Sequence, residues 1–345
     1  MAGGRGRLQG LDLLRGGAIV LVILRHSWEG TFGWAGIVGV VAFFTLSGYL
    51  ITGVLIRDIQ RYGYVRYGHF YRNRVLRLIP AMVFLLIVFV IVEGIANLSG
   101  SRDQVVTSVV VALLYVMNIP GIPHGIPVLG HLWTLANEEQ FYLVWPLVLV
   151  LGVRFRRLGV FVIGAAIVIM LGLVATILAN SPTVENVYSH PAAWTISMVI
   201  GAAAQLWRGR ISVVLAGVRA SVAAIIAMLV LVGMSFFPES KDSPLTYLVG
   251  GPVIGIMTVA LIWKLRDWAV APLALRPLVW LGTVSYAAYL WNFPIREWLR
   301  NAGIPGWELW TIVLTLVAAT VSWFVVERPF IAIKLKLDAR LESRI

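Results

Sequence analysis

The chain alternates long apolar runs with short polar segments, a pattern typical of helices that cross a membrane. A helix needs roughly 20 residues to cross about 30 Å of hydrocarbon. This pattern predicts an all-α, polytopic membrane protein. The candidate runs occupy residues 11–29, 35–56, 79–98, 105–118, 132–152, 158–179, 192–207, 211–237, 245–263, 276–293 and 307–326.

Basic residues in the connecting segments predict the orientation of these runs. Cytoplasmic loops carry an excess of Lys and Arg, which places both termini and the basic loops after the second, fifth, seventh and ninth runs in the cytoplasm. Eleven crossings cannot satisfy all of these positions, so one run does not span. The shortest run before the RFRR segment at 154–157 is 105–118. We expect it to be re-entrant or interfacial, which leaves about ten transmembrane helices in a plasma (inner) membrane.

Composition narrows the partners that we expect. Of the 345 residues, 59% are hydrophobic and 13% are charged, and the formal net charge is +12. Such a charge is compatible with nucleic-acid binding, but these charges lie in short loops, so we expect membrane lipid as a partner and no nucleic acid. The chain has no cysteine and no histidine spacing typical of metal ligands, so no metal site is predicted. We expect a single membrane-embedded domain over residues 1–345.

Two ionisable residues interrupt the first apolar run. Arg15 and His26 are eleven positions apart, which puts them within about 20° on one helix face and about 16 Å apart along its axis. Asp12 and Glu29, each three residues away from one of them, extend the stripe. One interpretation is that Arg15 snorkels to the interface with Asp12 as its partner. Because charged groups within spans are costly and mark substrate paths, we favour a functional stripe with His26 as a general base.

Six short segments stand out in order along the chain: LDLLRGGAIVLVILRH (11–26), GVVAFFTLSGYLITG (39–53), FYRNRVLRLIP (70–80), HLWTLANEEQFYLVWP (131–146), SYAAYLWNFP (285–294) and VERPF (326–330). With these segments the chain resembles the acyltransferase-3 family of membrane-bound O-acyltransferases over nearly its whole length. The first run has the family's Arg-x10-His pattern, and five further signatures follow it in order. One departure is Asn292, where the family commonly has a histidine, so no proton transfer is assigned there.

The resemblance implies an acyl-CoA donor, with acetyl-CoA favoured, as a co-substrate rather than a bound cofactor. Arg72, Arg74 and Arg77 are the candidate phosphate-binding residues. Arg74 and Arg77 are three positions apart, and guanidinium groups with this spacing at a helix start can clamp phosphates. Arg15 would contact the donor further inward. The alternative for the basic stretch from Arg57 to Arg77 is contact with anionic lipid.

Glu138 is the second candidate catalytic residue. His131, Glu138 and Tyr142 are spaced so that a helix would carry them on one face. We expect Glu138 to orient His26 and stabilise its imidazolium; the alternative is a hydrated helix start favoured by the helix dipole.

The remaining candidates would contact substrate. Ser47 is conceivable as an acyl-carrying nucleophile, although a serine beside Gly48 more often serves close helix packing. Trp133 is a candidate floor for the acceptor pocket. Tyr289 either lines the cavity or anchors at the interface. Tyr142 and Asn292 are the other two candidate substrate-binding residues.

We therefore predict an O-acyltransferase that moves an acyl group to a hydroxyl of a cell-surface glycan or glycolipid. One alternative is an enzyme of the same family that modifies a small hydroxylated natural product such as a macrolide. The other is a transporter or flippase without enzymatic activity, in which Arg15 and the basic stretch would bind an anionic cargo.

Overall fold

A computed structural model describes residues 8–342, which are helical and contain no β-strand. Short 3-10 or π-helical turns extend or join several of the helices. The helices of this part of the chain are α1 (Gln9–Ser27), α2 (Ala35–Tyr62), α3 (Tyr67–Ile91), α4 (Val105–Leu113), α5 (Trp133–Arg154), α6 (Leu158–Asn180), α7 (Pro191–Leu206), α8 (Arg208–Val214), α9 (Val218–Ser235), α10 (Gly251–Leu265), α11 (Arg276–Thr283), α12 (Ser285–Asn301), α13 (Trp307–Ser322) and α14 (Arg328–Glu342).

Six helical segments within the described residues are long and apolar enough to cross a membrane, as expected of a multi-pass membrane protein. The expected number of about ten is not confirmed. Helices α1 and α5 are long enough but carry charged residues, and α7 and α12 contain only 16 and 17 residues. The six segments are Ala35–Tyr62, Tyr67–Ala96, Leu158–Asn180, Val218–Ser235, Thr246–Leu265 and Trp307–Ala339.

Two apolar runs that we predicted as continuous are each divided into two helices. The run 211–237 is interrupted at Gly217, whose φ of 52° lies outside the helical region. The run 276–293 is interrupted at Val284 between α11 and α12. Hydropathy alone does not detect these breaks, because the residues at the junctions are themselves apolar or small.

The prediction that the basic stretch from Arg57 to Arg77 is a loop is wrong, because most of this stretch is helical. Helix α2 continues to Tyr62 and α3 begins at Tyr67, twelve residues before the apolar run 79–98. By contrast, α4 has only nine residues and is about 14 Å long, too short to span, as expected for the run 105–118.

The chain forms two compact units. Among the described residues, the first unit comprises residues 8–65, Tyr115–Ile122 and Trp133–Thr283. The second comprises Arg66–Leu114, Pro123–Leu132 and residues 284–342. The first unit thus holds α1, α2 and α5 to α11.

Glycines allow close helix contacts in the first unit, as is common between membrane helices. Helix α2 packs against α7, where a Cβ on Gly48 would lie 1.9 Å from the Met198 carbonyl oxygen and one on Gly201 would lie 1.9 Å from that of Thr45. Helix α1 packs against α11 in the same way. No larger residue fits at these crossings without separating the helices.

The second unit is built on packing between α12 and α13 and between α3 and α14. Glu93, at the end of the α3 segment, is buried and accepts hydrogen bonds from the Ser99 hydroxyl (2.8 Å) and the Trp298 indole nitrogen (2.9 Å). The Tyr286 hydroxyl donates to the Leu78 carbonyl oxygen at 2.9 Å. These bonds fix α12 along α3.

Candidate active site

Helix α1 carries the ionisable stripe within the first unit. Arg15 forms an ion pair with buried Asp12, with 3.1 Å between Nη1 and Oδ1. This pairing is the one that the interfacial interpretation of Arg15 requires, and it neutralises the arginine locally. His26 lies half-buried in the last turn of the helix, one residue before its end at Ser27.

Arg25 is a charged centre that the sequence analysis missed. Its guanidinium donates to Glu29 at 3.0 Å and also to Glu239, which lies in the loop between α9 and α10. Lys241 contacts the same Glu239 carboxylate at 2.6 Å. The i, i+4 spacing of Arg25 and Glu29 was a signal for their pairing, whereas nothing local indicates a partner 214 residues away.

Ser47 and Glu138 come together although 91 residues separate them. The Ser47 hydroxyl on α2 donates to Glu138 Oε1 on α5 at 2.8 Å, in a partly buried position. Gly48, the next residue, serves the close contact with α7. The packing role that we expected for this Ser-Gly pair therefore belongs to the glycine, while the serine holds the carboxylate.

Aromatic residues surround the start of α5. Trp133 is buried and packs edge-on against Phe44, with ring centroids 6.1 Å apart, and against Tyr188 at 5.2 Å. Burial raises the pKa of Tyr188 to about 12, so its phenol is neutral at physiological pH. Tyr142 is buried and packs against Phe141. Trp133 and Tyr142 therefore belong to the interior of the first unit.

Three carboxamide side chains form a hydrogen-bonded cluster in the first unit, which the sequence analysis also missed. Asn118 donates to Asn137 Oδ1 at 2.6 Å and to Gln140 Oε1 at 2.9 Å. Asn137 and Gln140 lie on α5 on either side of the two glutamates. Their i, i+3 spacing was visible in the sequence, but Asn118 lies outside any helix.

The candidate phosphate-binding arginines lie on the first turns of α3 in the second unit. Arg72 forms an ion pair with Asp338 of α14, which also contacts His69. The Arg74 guanidinium lies 6.0 Å from the Phe70 ring centroid. Arg77 is exposed and close enough to Glu327 to interact with it electrostatically. Helix α14 and the turn before it thus supply the carboxylates of Asp338 and Glu327 to these arginines, which form the basic face of α3.

Tyr289 and Asn292 lie on α12 in the second unit. The Tyr289 hydroxyl donates to the His131 carbonyl oxygen at 2.9 Å, and Asn292 is fully buried and donates to Thr315 Oγ1 at 3.1 Å. The expectation that His131 shares a helix face with Glu138 is wrong. His131 lies in the short turn Pro127–Leu132, and α5 begins only at Trp133.

The chemistry available in the described residues is that of polar and charged side chains. Within residues 8–342, no group of three or more His, Cys, Asp or Glu side chains is placed to hold a metal ion. The candidate residues are divided between the two units. The first unit holds Arg15, His26, Ser47, Trp133, Glu138 and Tyr142, and the second holds Arg72, Arg74, Arg77, Tyr289 and Asn292.

Comparison with known proteins gives a match over most of the chain. A family model described as an acyltransferase domain matches residues 8–328. The "Putative peptidoglycan O-acetyltransferase" of Bacillus subtilis is 30% identical over 357 residues, covering 93% of this chain and 54% of the relative. The peptidoglycan O-acetyltransferase OatA of Listeria monocytogenes is 30% identical, covering 92% of this chain and 55% of the relative.

A third relative, a "Putative O-acetyltransferase" of Staphylococcus aureus, is 28% identical and covers 94% of this chain and 57% of its own length. The chain therefore spans a little more than half the length of the curated relatives that it matches. No solved structure matches the chain.

Proposed function

The chain belongs to the acyltransferase domain family matched over residues 8–328, and on that premise we propose that it is a membrane-embedded O-acyltransferase. The observation that carries the proposal is the Ser47–Glu138 hydrogen bond of 2.8 Å. It joins two of the segments that resemble the family, 39–53 and 131–146, inside an apolar helical unit. Carboxylates within membrane-spanning segments are costly, and those that occur there commonly mark functional sites.

In the proposed reaction, His26 is the general base. It removes the proton from an acceptor hydroxyl as that oxygen attacks the carbonyl carbon of an acyl thioester. Glu138, held by Ser47, stabilises the resulting imidazolium electrostatically. Histidine suits this role because its ordinary pKa lies near neutrality.

The proposed donor is acetyl-CoA. Its phosphates carry several negative charges, and the basic face of α3, formed by Arg72, Arg74 and Arg77, offers guanidinium groups that bind phosphates in bidentate geometry. Asp338 keeps Arg72 in a defined orientation.

The proposed acceptor is a glycan hydroxyl, and two of the relatives, named for peptidoglycan, make a peptidoglycan sugar the first candidate. Trp133 and Tyr142 are proposed substrate contacts in the first unit, where both rings are buried. Tyr289 and buried Asn292 are proposed substrate contacts in the second unit. We further propose that the protein resides in the plasma membrane with ten crossings and both termini in the cytoplasm.

The test of the general base uses purified protein in nanodiscs, acetyl-CoA labelled in the acetyl group, and soluble peptidoglycan fragments as acceptor. His26→Ala should reduce acetyl transfer at least about 100-fold while labelled acetyl-CoA still binds. The matched control is His124→Ala, since His124 is exposed in a loop. Transfer by His26→Ala at the rate of the control would refute His26 as the base.

The test of the donor site is charge reversal. Arg74→Glu with Arg77→Glu should raise the KM for acetyl-CoA at least about 10-fold, because phosphate contacts are replaced by repulsion. Arg157→Glu, at an exposed arginine between α5 and α6, is the control for a change of net charge. An unchanged KM would indicate that the basic face contacts lipid instead.

A further inference from the structure

Asn137 holds a buried hydrogen-bond donor that no other described residue satisfies. The side chain is 2% exposed, and its Nδ2 atom is shielded from solvent without a hydrogen-bond partner in the described part of the chain. Leaving such a group unpaired is unfavourable, because the protein does not replace the hydrogen bond that the group made to water in the unfolded chain. Native proteins keep few of them, and each requires an explanation.

The orientation of this donor is determined by a chain of hydrogen bonds that begins at a backbone carbonyl. The Tyr115 carbonyl oxygen can only accept, and Gln140 Nε2 lies 3.2 Å from it, so the Gln140 amide cannot be flipped. Gln140 Nε2 also donates to Asn118 Oδ1 at 2.8 Å, which directs Asn118 Nδ2 at Asn137 Oδ1, 2.6 Å away. The Asn137 amide nitrogen is therefore fixed on the opposite side.

Such a donor has the properties required for stabilising negative charge during acyl transfer. It is neutral, fixed before the reaction and shielded from water, and donors of this kind give the largest benefit where the surroundings have a low dielectric constant. It also lies one residue before Glu138, to which the proposed function assigns the stabilisation of His26. The unused donor and the carboxylate that is proposed to stabilise the His26 imidazolium thus come from the same turn of α5.

Resting on the proposed acyl transfer, we propose that Asn137 Nδ2 donates a hydrogen bond to the carbonyl oxygen of the acyl group. As the acceptor oxygen forms its bond to the carbonyl carbon, the acceptor proton passes to His26 and the carbonyl π electrons move onto the carbonyl oxygen. Asn137 stabilises that charge. The electrons then return, the carbon–sulfur bond breaks, and the leaving sulfur takes the proton from His26 to become a thiol.

The first test compares Asn137→Leu, of similar volume but without a donor, with Thr52→Val. Thr52 accepts a hydrogen bond from the Trp145 indole nitrogen at 2.8 Å in the same unit, so its variant loses a buried hydrogen bond outside the site. Asn137→Leu should lower kcat about 100-fold with the dissociation constant of acetyl-CoA within threefold of wild type. Thr52→Val should keep the wild-type kcat.

The second test is the infrared carbonyl stretch of bound acetyl-CoA carrying carbon-13 at the carbonyl, measured without acceptor. A donated hydrogen bond lowers this frequency, so the wild-type protein should show a lower value than Asn137→Leu. Equal frequencies together with an unchanged kcat would overturn the proposal, and would mean that the donor serves folding only. That result leaves the acyltransferase function intact, whereas absence of acetyl transfer by the wild-type protein refutes the function itself.

Discussion

At the scale of single residues, the Glu239 carboxylate is the charge that ties the α9–α10 loop to the end of α1. Burial alone raises its pKa, but the hydrogen bond from Lys241 and the attraction of Arg25 outweigh this effect, so the pKa of Glu239 is lowered. A lowered pKa means that the folded protein favours the ionised carboxylate. The stabilisation is therefore present above the ordinary pKa of glutamate and is lost as the pH falls through the lower folded-state value.

We predict that Glu239→Gln destabilises the protein at neutral pH by on the order of 1 kcal/mol. The expected loss is limited because the side chain is 35% exposed and solvent screens its ion pairs. Below about pH 4.5 the melting temperature of the variant should approach that of wild type. The measurement is thermal unfolding in detergent from pH 7 to pH 3. Glu185→Gln, at an exposed glutamate, is the control, and parallel curves for wild type and Glu239→Gln would contradict the assignment.

The Thr52–Trp145 hydrogen bond gives a second prediction at this scale. Both side chains are buried, so Thr52→Val leaves the indole N–H without an acceptor and should cost about 1–3 kcal/mol. Thr52→Ser retains the hydroxyl and should lose less than half as much stability. Melting temperatures of the two variants in the same detergent provide the comparison. A larger loss for Thr52→Ser than for Thr52→Val would contradict the prediction and show that the site requires the Thr52 methyl group rather than its oxygen.

The candidate residues on α1 could be identified from sequence because their polarity is anomalous in an apolar run. Partners that are close in sequence could also be identified, but distant partners could not. Arg15 and Asp12 are three positions apart and their pairing follows from helix geometry. The contacts of Ser47 with Glu138 and of Arg25 with Glu239 depend on which helices pack together, and hydropathy carries no information about that choice.

At the scale of the helices, glycine positions determine how closely α2 and α7 approach. Gly201→Ala would place a methyl group 1.9 Å from the Thr45 carbonyl oxygen. Neither backbone can move without separating the helices, so we predict a destabilisation of about 3 kcal/mol, the upper end of overpacking costs.

The control for this prediction is Gly172→Ala on α6, where a Cβ meets nothing within 4 Å. Alanine favours a helix over glycine by up to about 1 kcal/mol, so this variant should melt at or above the wild-type temperature. Detergent melting and the yield of monodisperse protein measure both effects. A Gly201→Ala variant as stable as Gly172→Ala would mean that the α2–α7 contact is looser than the structure has it.

Helix ends were harder to predict than helix existence. Helix α3 begins in a polar segment because its first turns carry the basic face and contact α14 through Arg72 and Asp338. An apolar window cannot detect this extension. The division near Val284 was missed for the opposite reason, since both flanking helices are apolar enough to be read as one span.

At the scale of the whole chain, contacts between loops constrain which helices of the first unit cross the membrane. The Lys241 ammonium lies 4.7 Å from the Tyr188 ring centroid, so the loop after α6 and the loop after α9 must lie on one side. An even number of crossings separates them. Helix α9 is one of the segments long and apolar enough to span, and we therefore expect α7 to cross as well, although its 16 residues extend only about 24 Å.

Because the chain has no cysteine, single introduced cysteines can test this expectation directly. In intact cells, a membrane-impermeant maleimide should label Glu185→Cys and Asp242→Cys, in the loops after α6 and α9. Arg157→Cys, between α5 and α6, should be labelled only after permeabilisation, since the basic loop is predicted to be cytoplasmic. If α7 does not cross, Asp242→Cys must instead behave like Arg157→Cys, because only α6 and α9 then separate the two positions. All three residues are exposed, so protection from the reagent reports the membrane rather than burial in the protein.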